Sequence, residues 1–193
     1  MKKNYFVVTL LSAIFSLALM TACATNDAAV SDTASSFKLT SSAFTNNQRL
    51  DVKYCYTGVS GGNNISLPFS WEGAPAGTKS FALVIHDPNG GNWVHWAVLN
   101  IPADCNSISE NASRSNNMPT GSIELNNEFG TAGYGGPQPP PGSGTHKYVA
   151  TIYALGTISA SGSKLNLSYQ EITSLLKEMT IMDKATIYGT YSR

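Results

Sequence analysis

Short apolar and β-branched runs alternate with segments rich in glycine, proline and asparagine from Phe37 to the C-terminus. The runs are enriched in Val, Ile, Thr, Tyr, Phe and Trp, as β-strands are. They cover residues 37–44, 51–58, 66–73, 80–87, 93–102, 147–155 and 185–192. Turn-forming segments such as GVSGGNN, EGAPAGT and DPNGG separate them. Many short strands joined by such turns predict a mainly β fold, either a sandwich or a barrel.

Two segments depart from this pattern of short strands. SFALVI, residues 80–85, is a continuous apolar run, which predicts a central strand that is covered on both faces. Near the C-terminus, Ser168 is followed three residues later by Glu171, the spacing of a capping box. Apolar residues then recur at helical spacing, at Ile172, Leu175, Leu176 and Met179. This pattern predicts one helix after Ser168, packed by its apolar face on a sheet.

Residues 1–22 have the pattern of a secretory signal peptide, with two lysines followed by an apolar stretch from Tyr5 to Met20. Two small residues precede Cys23, as in bacterial lipoprotein signals, although an ordinary signal peptide with an incidental cysteine is the alternative. We expect cleavage before Cys23, lipid attachment to Cys23 and a flexible tether over residues 23–36. A single domain is then expected over residues 37–193.

Export also bears on the remaining cysteines and on the location of the protein. Cys55 and Cys105 form an even pair, and such a pair in an oxidising compartment predicts a disulfide between them. We expect a periplasmic, membrane-anchored lipoprotein. Ala24 follows Cys23 in place of the aspartate that retains some lipoproteins at the inner membrane, which favours the outer membrane.

The charge of the chain argues against polyanionic partners. The formal net charge is zero over the whole chain and becomes −2 without Lys2 and Lys3. No basic stripe is present that would neutralise the phosphates of nucleic acid or attract anionic lipid headgroups. We therefore expect no nucleic-acid partner and membrane contact only through lipid at Cys23.

The candidate chemistry is concentrated in the three histidines of the chain, His86, His95 and His146. Each lies beside a turn-forming segment at a predicted strand end, and Asp87 adjoins the first. These residues either satisfy one another structurally or line a shared pocket. His and Asp are also zinc ligands, but no metal-binding spacing is present, so we expect neither a metal nor another cofactor.

One apparent catalytic motif does not fit its context. Gly58–Gly62 reads G-x-S-x-G, the pattern of a hydrolase nucleophile elbow, which requires a helix directly after the serine. A loop and a strand containing Pro68 follow instead. A weak hydrolase that uses a histidine as base stays open as a third hypothesis, but no nucleophile is placed for it. We therefore expect no enzyme.

Four stretches together resemble the phosphatidylethanolamine-binding protein family, and most of all its bacterial branch of Raf-kinase-inhibitor-like proteins. They are DPN (87–89), NWVHW (92–96), GYGGPQPPPGSGTHKY (133–148) and YGTYSR (188–193). The resemblance covers residues 37–193. It implies a β-sandwich of two antiparallel sheets with Greek-key connections and a few peripheral helices, with a small anion-binding pocket at one end.

The resemblance also implies the residues of that pocket. They are Asp87, Trp93, His95, Gly136, Pro140, His146 and Tyr148. We expect His95, His146 and Tyr148 to donate hydrogen bonds to an oxyanion. Asp87 would orient a histidine, and Gly136 would add a backbone N–H. The tryptophan and the proline would form apolar walls.

The chain departs from the family pattern at the edge of this pocket. Asn89 replaces a second aspartate, Gly90 and Gly91 replace Ala-Pro, and Lys147 replaces an arginine. The family pattern gives His86 no role, and alternation along a strand would point it away from the pocket. Asn89 removes a charge at the rim of the pocket, and Gly90-Gly91 shortens the loop and removes a proline.

The favoured function is therefore an exported, lipid-anchored protein that binds a small anionic or phosphorylated ligand. The resemblance also implies an alternative, a protein-interaction module that inhibits a kinase or protease or modulates signalling.

Overall fold

The computed structural model of the protein describes Met1, residues 36–159 and residues 166–193. The predicted signal peptide, the lipidation site at Cys23 and nearly all of the tether lie outside the described residues. Within the described ranges, no helix is long and apolar enough to cross a membrane.

The described residues form eight strands and one α-helix. The strands are β1 (Lys38–Thr40), β2 (Phe69–Glu72), β3 (Ser80–Asp87), β4 (Trp93–Pro102), β5 (Ser107–Ile108), β6 (Ile123–Glu124), β7 (His146–Leu155) and β8 (Ile181–Tyr191). The helix is α1 (Tyr169–Glu178), and 3₁₀ turns cover Val52–Tyr54 and Pro88–Gly90. One sheet has the order β1-β2-β5 and the other β6-β4-β3-β7-β8, and every strand pair in them is antiparallel. The predicted architecture of two antiparallel sheets is confirmed.

Strand β3 is the centre of the larger sheet, and all eight of its residues are buried. Phe81, Leu83 and Ile85 point into the core between the two sheets. Ala82 and Val84 point to the opposite face, into a second core that α1 covers. The apolar run SFALVI is therefore continuous because both faces of the strand are covered, as predicted.

The predicted helix is present and begins where its capping signal indicates. The Ser168 hydroxyl accepts the Glu171 N–H at 3.3 Å, and the Glu171 carboxylate accepts the Ser168 N–H at 2.8 Å. Ile172 and Leu176 are fully buried in the core between α1 and the larger sheet.

The strand predicted over residues 51–58 is wrong. The Asp51 side chain accepts the Lys53 N–H at 2.9 Å and caps the 3₁₀ turn Val52–Tyr54. A local side-chain hydrogen bond of this kind offers the backbone an alternative to strand pairing. The alternation of apolar and polar residues does not predict such a bond.

Strand β4 contains a bulge at His95. Ile85 of β3 pairs with Trp96, whereas the next residue, His86, pairs with Val94. His95 is therefore the extra residue, and no β3 residue opposes it. Trp96 lies in the core between the sheets and Val94 in the core under α1. The bulge breaks the alternation and frees the His95 side chain to point beyond the end of the sheet.

The predicted disulfide is not formed, since Cys55 and Cys105 are both free thiols. Cys55 is buried beside Tyr191, where β8 ends next to the start of β7. Cys105 follows the other end of β4, its N–H bonded to the Pro102 carbonyl. A ten-residue strand such as β4 spans about 30 Å, whereas a disulfide requires Cα atoms about 6 Å apart. An even number of cysteines cannot report this separation.

We predict that alkylation of the unreduced, unfolded chain modifies both Cys55 and Cys105. In the native protein, Cys55 should react far more slowly than Cys105, because desolvation raises the pKa of the Cys55 thiol to about 11 and leaves little thiolate at pH 8. Peptide-resolved mass spectrometry measures each cysteine separately. Recovery of a cross-linked Cys55–Cys105 peptide would contradict the arrangement of the two thiols.

Candidate functional site

The Asp87 carboxylate ends β3 and joins three parts of the chain. Its Oδ1 accepts the N–H groups of Asn89 and Gly90, at 2.8 and 3.0 Å, and so caps the turn Pro88–Gly90. Its Oδ2 accepts the Nδ1–H of His146, at 2.6 Å. Asp87 is only 4% exposed, so these three donors replace the water that a buried carboxylate loses.

The imidazole of His95 is held by the loop 133–136. Its Nδ1 lies 2.6 Å from the Gly135 carbonyl and donates to it, while the Gly135 N–H donates to the His95 carbonyl at 2.8 Å. Desolvation lowers the pKa of His95 to about 4, so the ring is neutral at pH 7. The bond from Nδ1 fixes the tautomer and leaves Nε2 with a lone pair.

The His146 ring, at the start of β7, uses both of its nitrogens. Its Nδ1 bonds to Asp87, and its Nε2 lies 3.0 Å from the Ser143 hydroxyl oxygen. The first of these bonds places the ring at the wall of the cavity beside Asp87. The ligand role of His146 stays a prediction.

Tyr148 lies two residues further along β7 and therefore on the same face as His146. Its hydroxyl is buried and has no hydrogen-bond partner in the described part of the chain. Burial raises the pKa of this phenol, so the group stays protonated and is a hydrogen-bond donor. The His95 ring packs edge-on against the Tyr148 ring with 5.0 Å between centroids.

These residues surround a cavity of about 320 Å³ at one end of the sandwich. Ten residues line it: Asp87, Gly90, Trp93, His95, Phe129, Gln138, Pro139, Pro140, His146 and Tyr148. Six of the seven predicted site residues are therefore brought together. None of the ten is a lysine or an arginine, and in residues 36–159 and 166–193 no three His, Cys, Asp or Glu side chains are grouped as a metal site requires.

Gly136 is the seventh predicted site residue, and the structure corrects its role. Its N–H donates to the Asn64 side chain at 2.7 Å and is not presented to the cavity. A Cβ at this position would lie 2.0 Å from the Tyr54 carbonyl oxygen. Glycine is required here because two backbone segments approach closely, not because a ligand needs the N–H.

Phe129 is a cavity residue that sequence reasoning missed. Its ring stacks on Tyr56 at 4.2 Å and meets Trp93 edge-on at 5.5 Å. The buried Asn127 side chain holds its loop by accepting the Phe129 N–H and donating to the Gly133 carbonyl. Nothing in the segment NNEFG marks it as part of the site. Gln138 and Pro139 could have been inferred, since they lie in the same proline-rich loop as Pro140.

The residues that depart from the family pattern have structural positions of their own. The Asn89 side chain accepts the Lys147 N–H at 3.0 Å and fastens the turn after β3 to β7. The Lys147 ammonium lies over the Tyr188 ring, at 4.8 Å. His86 stacks on Tyr169 of α1, at 3.9 Å between centroids, and does not line the cavity.

Comparisons with known proteins agree on one family. The sequence model of the family described as phosphatidylethanolamine-binding protein matches residues 40–192. A UPF0098 protein of Methanothermobacter thermautotrophicus is 35% identical over 153 residues, which are 78% of this chain and 95% of that protein.

Two further relatives add a solved structure and a name. YbcL of Escherichia coli is 38% identical over 130 residues, 64% of this chain and 71% of YbcL. Its crystal structure, described as a new member of the mammalian PEBP family, matches with a TM-score of 0.75 and 33% identity over 81% of this chain and 98% of that one. The putative lipoprotein LppC of Mycobacterium tuberculosis is 40% identical over 96 residues, 49% of this chain and 45% of LppC.

The close backbone approach at Gly136 gives a test of the loop that holds the site. We predict that Gly136→Ala lowers the free energy of unfolding by about 1–3 kcal/mol, as overpacking does. In Gly156→Ala the added Cβ meets only atoms at 3.4 Å or beyond, so a change within about 0.5 kcal/mol is expected. Urea denaturation measures both variants, and equal stability of the two would contradict the assigned role.

Proposed function

Because the chain belongs to the phosphatidylethanolamine-binding protein family, we propose that this cavity binds the oxyanion of a small ligand, of the size of a phospholipid headgroup. The cavity volume of about 320 Å³ is at the small end of the range for ligand pockets. It fits a headgroup-sized molecule and leaves no room for acyl chains.

The observation that carries the proposal is the unpartnered Tyr148 hydroxyl. A buried donor without an acceptor costs about 1–3 kcal/mol, and such groups are rare in folded proteins. The hydroxyl belongs to a residue that lines the cavity. An oxyanion in the cavity would accept its hydrogen bond and remove that cost.

The charges around the cavity set a condition on binding. Asp87 is an anion at the cavity wall, and none of the lining residues is a lysine or an arginine. An oxyanion beside Asp87 therefore needs a compensating proton. His95 can supply it, because a bound anion near Nε2 favours the imidazolium and raises the pKa of His95 in the complex.

We also propose that the protein is exported and held at a membrane, the outer membrane in particular, by lipid on Cys23. The N-terminal pattern supports this, and so does the name of its relative LppC, a putative lipoprotein. The binding domain would then lie next to a lipid surface, where headgroup-sized phosphates occur.

We predict that Tyr148→Phe weakens binding of O-phosphorylethanolamine, measured by calorimetry, about 10-fold or more, as expected for loss of a hydrogen bond to a charged group. The same change should leave the free energy of unfolding unchanged or slightly higher, because it removes an unpartnered hydroxyl. Tyr188→Phe, outside the cavity, is the matched control and should bind as the wild type does. Saturable binding that is equally strong in Tyr148→Phe would refute the role of the hydroxyl, and no binding by the wild type would refute the proposal.

We predict that oxyanion binding strengthens as the pH falls from 8 to 5. The pKa of His95 is about 4 in the free protein and higher in the complex, so binding takes up a proton within this window. The affinity should rise by up to about tenfold per pH unit. Calorimetry with inorganic sulfate measures proton uptake by the protein alone, because sulfate does not titrate in this range. His95→Gln should flatten the dependence, and a flat wild-type profile would count against proton uptake.

A further inference from the structure

Two hydrogen bonds connect a serine to a histidine and the histidine to an aspartate at the edge of the cavity. The Ser143 hydroxyl oxygen lies 3.0 Å from Nε2 of His146, and Nδ1 of His146 lies 2.6 Å from Oδ2 of Asp87. This is the connectivity of nucleophile, base and orienting carboxylate that acyl-transfer enzymes use. The sequence led us to expect no enzyme because no nucleophile could be placed, and Ser143 now occupies that position.

The His146 imidazole and the Asp87 carboxylate are held in a fixed geometry, as a catalytic base and its orienting carboxylate require. His146 is 6% exposed and Asp87 is 4% exposed, so water does not compete for the bond between them. The second oxygen of Asp87 is fixed by two backbone N–H groups. The carboxylate therefore holds Nδ1 in its protonated form and directs the Nε2 lone pair to Ser143.

Ser143 lies on a sharp turn that exposes its hydroxyl. Gly142 and Gly144, on either side, have φ of 78° and 88°, in the left-handed region that glycine adopts without strain. A nucleophile elbow likewise presents its serine on a tight turn between small residues. The motif Gly58–Gly62, which matches the elbow by sequence, has no such histidine beside its serine, Ser60, in the described part of the chain.

We propose that Ser143, His146 and Asp87 form a catalytic triad that hydrolyses small carboxylic esters. This inference shares two residues with the proposed binding site but does not depend on oxyanion binding. The partners of Ser143, His146 and Pro140, both line the cavity. An apolar part of the ester can therefore lie in the cavity against Trp93 and Phe129 while its carbonyl carbon reaches Ser143.

The reaction consumes one water and yields an acid and an alcohol. The Ser143 oxygen attacks the carbonyl carbon as its proton passes to His146 Nε2. The tetrahedral intermediate breaks its bond to the leaving oxygen, which takes the proton from His146 and departs as the alcohol. Water, deprotonated by His146, then attacks the acyl-serine ester and releases the acid, and the proton returns to Ser143.

Two features make slow turnover the expected result. The Ser143 hydroxyl also lies 2.7 Å from the Pro140 carbonyl, to which it donates when it does not bond to His146. A nucleophile elbow stabilises the oxyanion with the N–H of the residue that follows the nucleophile, which here is Gly144. That is a single donor, whereas efficient hydrolases use two or more.

The test is labelling of the full-length chain with a fluorophosphonate probe, together with hydrolysis of p-nitrophenyl butyrate. We expect the label on Ser143, identified by peptide mass spectrometry. Ser143→Ala should abolish the label and lower ester hydrolysis about 100-fold or more, while binding of O-phosphorylethanolamine persists. Asp87→Asn should slow labelling of Ser143 by about 10²-fold or more, because the histidine loses its orientation. Ser60→Ala, the matched control in Gly58–Gly62, should behave as the wild type does.

Three results would overturn the triad. They are the absence of label on Ser143, ester hydrolysis that is unchanged in Ser143→Ala, and labelling of Ser143 that is equally fast in Asp87→Asn. The last would identify Ser143 as an exposed serine that the histidine does not activate. A failure of oxyanion binding alone would leave all these measurements unchanged, so the two proposals fail separately.

Discussion

The burial of the Asp87 charge is the constraint on which this end of the sandwich depends. A carboxylate removed from water is tolerated only when hydrogen-bond donors replace its hydration. Here two donors come from the turn that follows β3 and one from the histidine that begins β7. Satisfying one charge therefore fixes the turn, the separation of two strand ends and the orientation of an imidazole. Removal of any of these donors would leave the charge undercompensated.

The cavity itself is made by departures from regular sheet geometry. The bulge at His95 releases one side chain from the alternation of β4, and the Gly135 backbone holds that side chain from two sides. Asn64 and Asn127 then satisfy loop backbone groups that no strand can pair, at Gly136 and Phe129. The loops are thus held by side-chain amides, of which Asn127 is buried, instead of by sheet hydrogen bonds. Such clamps give a rigid wall, and a rigid wall loses little entropy when a ligand binds.

The sequence predicts well those elements of the fold that follow from a local pattern of residues. The continuous run in β3 and the capping box of α1 both report local rules, and both are confirmed. The turn at Val52–Tyr54 is predicted as a strand, because one side-chain hydrogen bond from Asp51 overrides the strand pattern. Within the site, family motifs predict Asp87, His95 and Tyr148, which line the cavity. The bulge, the close approach at Gly136 and the position of Phe129 depend instead on contacts between distant segments. The spacing of residues along the sequence does not predict those contacts. It does not predict the distance between Cys55 and Cys105 either.

The Ser143–His146 bond places the two proposed uses of the site in competition. An oxyanion accepts a hydrogen bond from Nε2 of His146 only when that nitrogen carries a proton, and it must then displace the Ser143 hydroxyl, which donates to the Pro140 carbonyl alone. A serine in that state has no base, so a bound oxyanion would silence the triad. Conversely, an ester held by Ser143 keeps His146 engaged and leaves only His95 and Tyr148 for anion recognition. The division of hydrogen bonds at one imidazole nitrogen would therefore decide between the two proposed uses of the cavity, and the turn Gly142–Gly144, which sets the position of Ser143, would control that division.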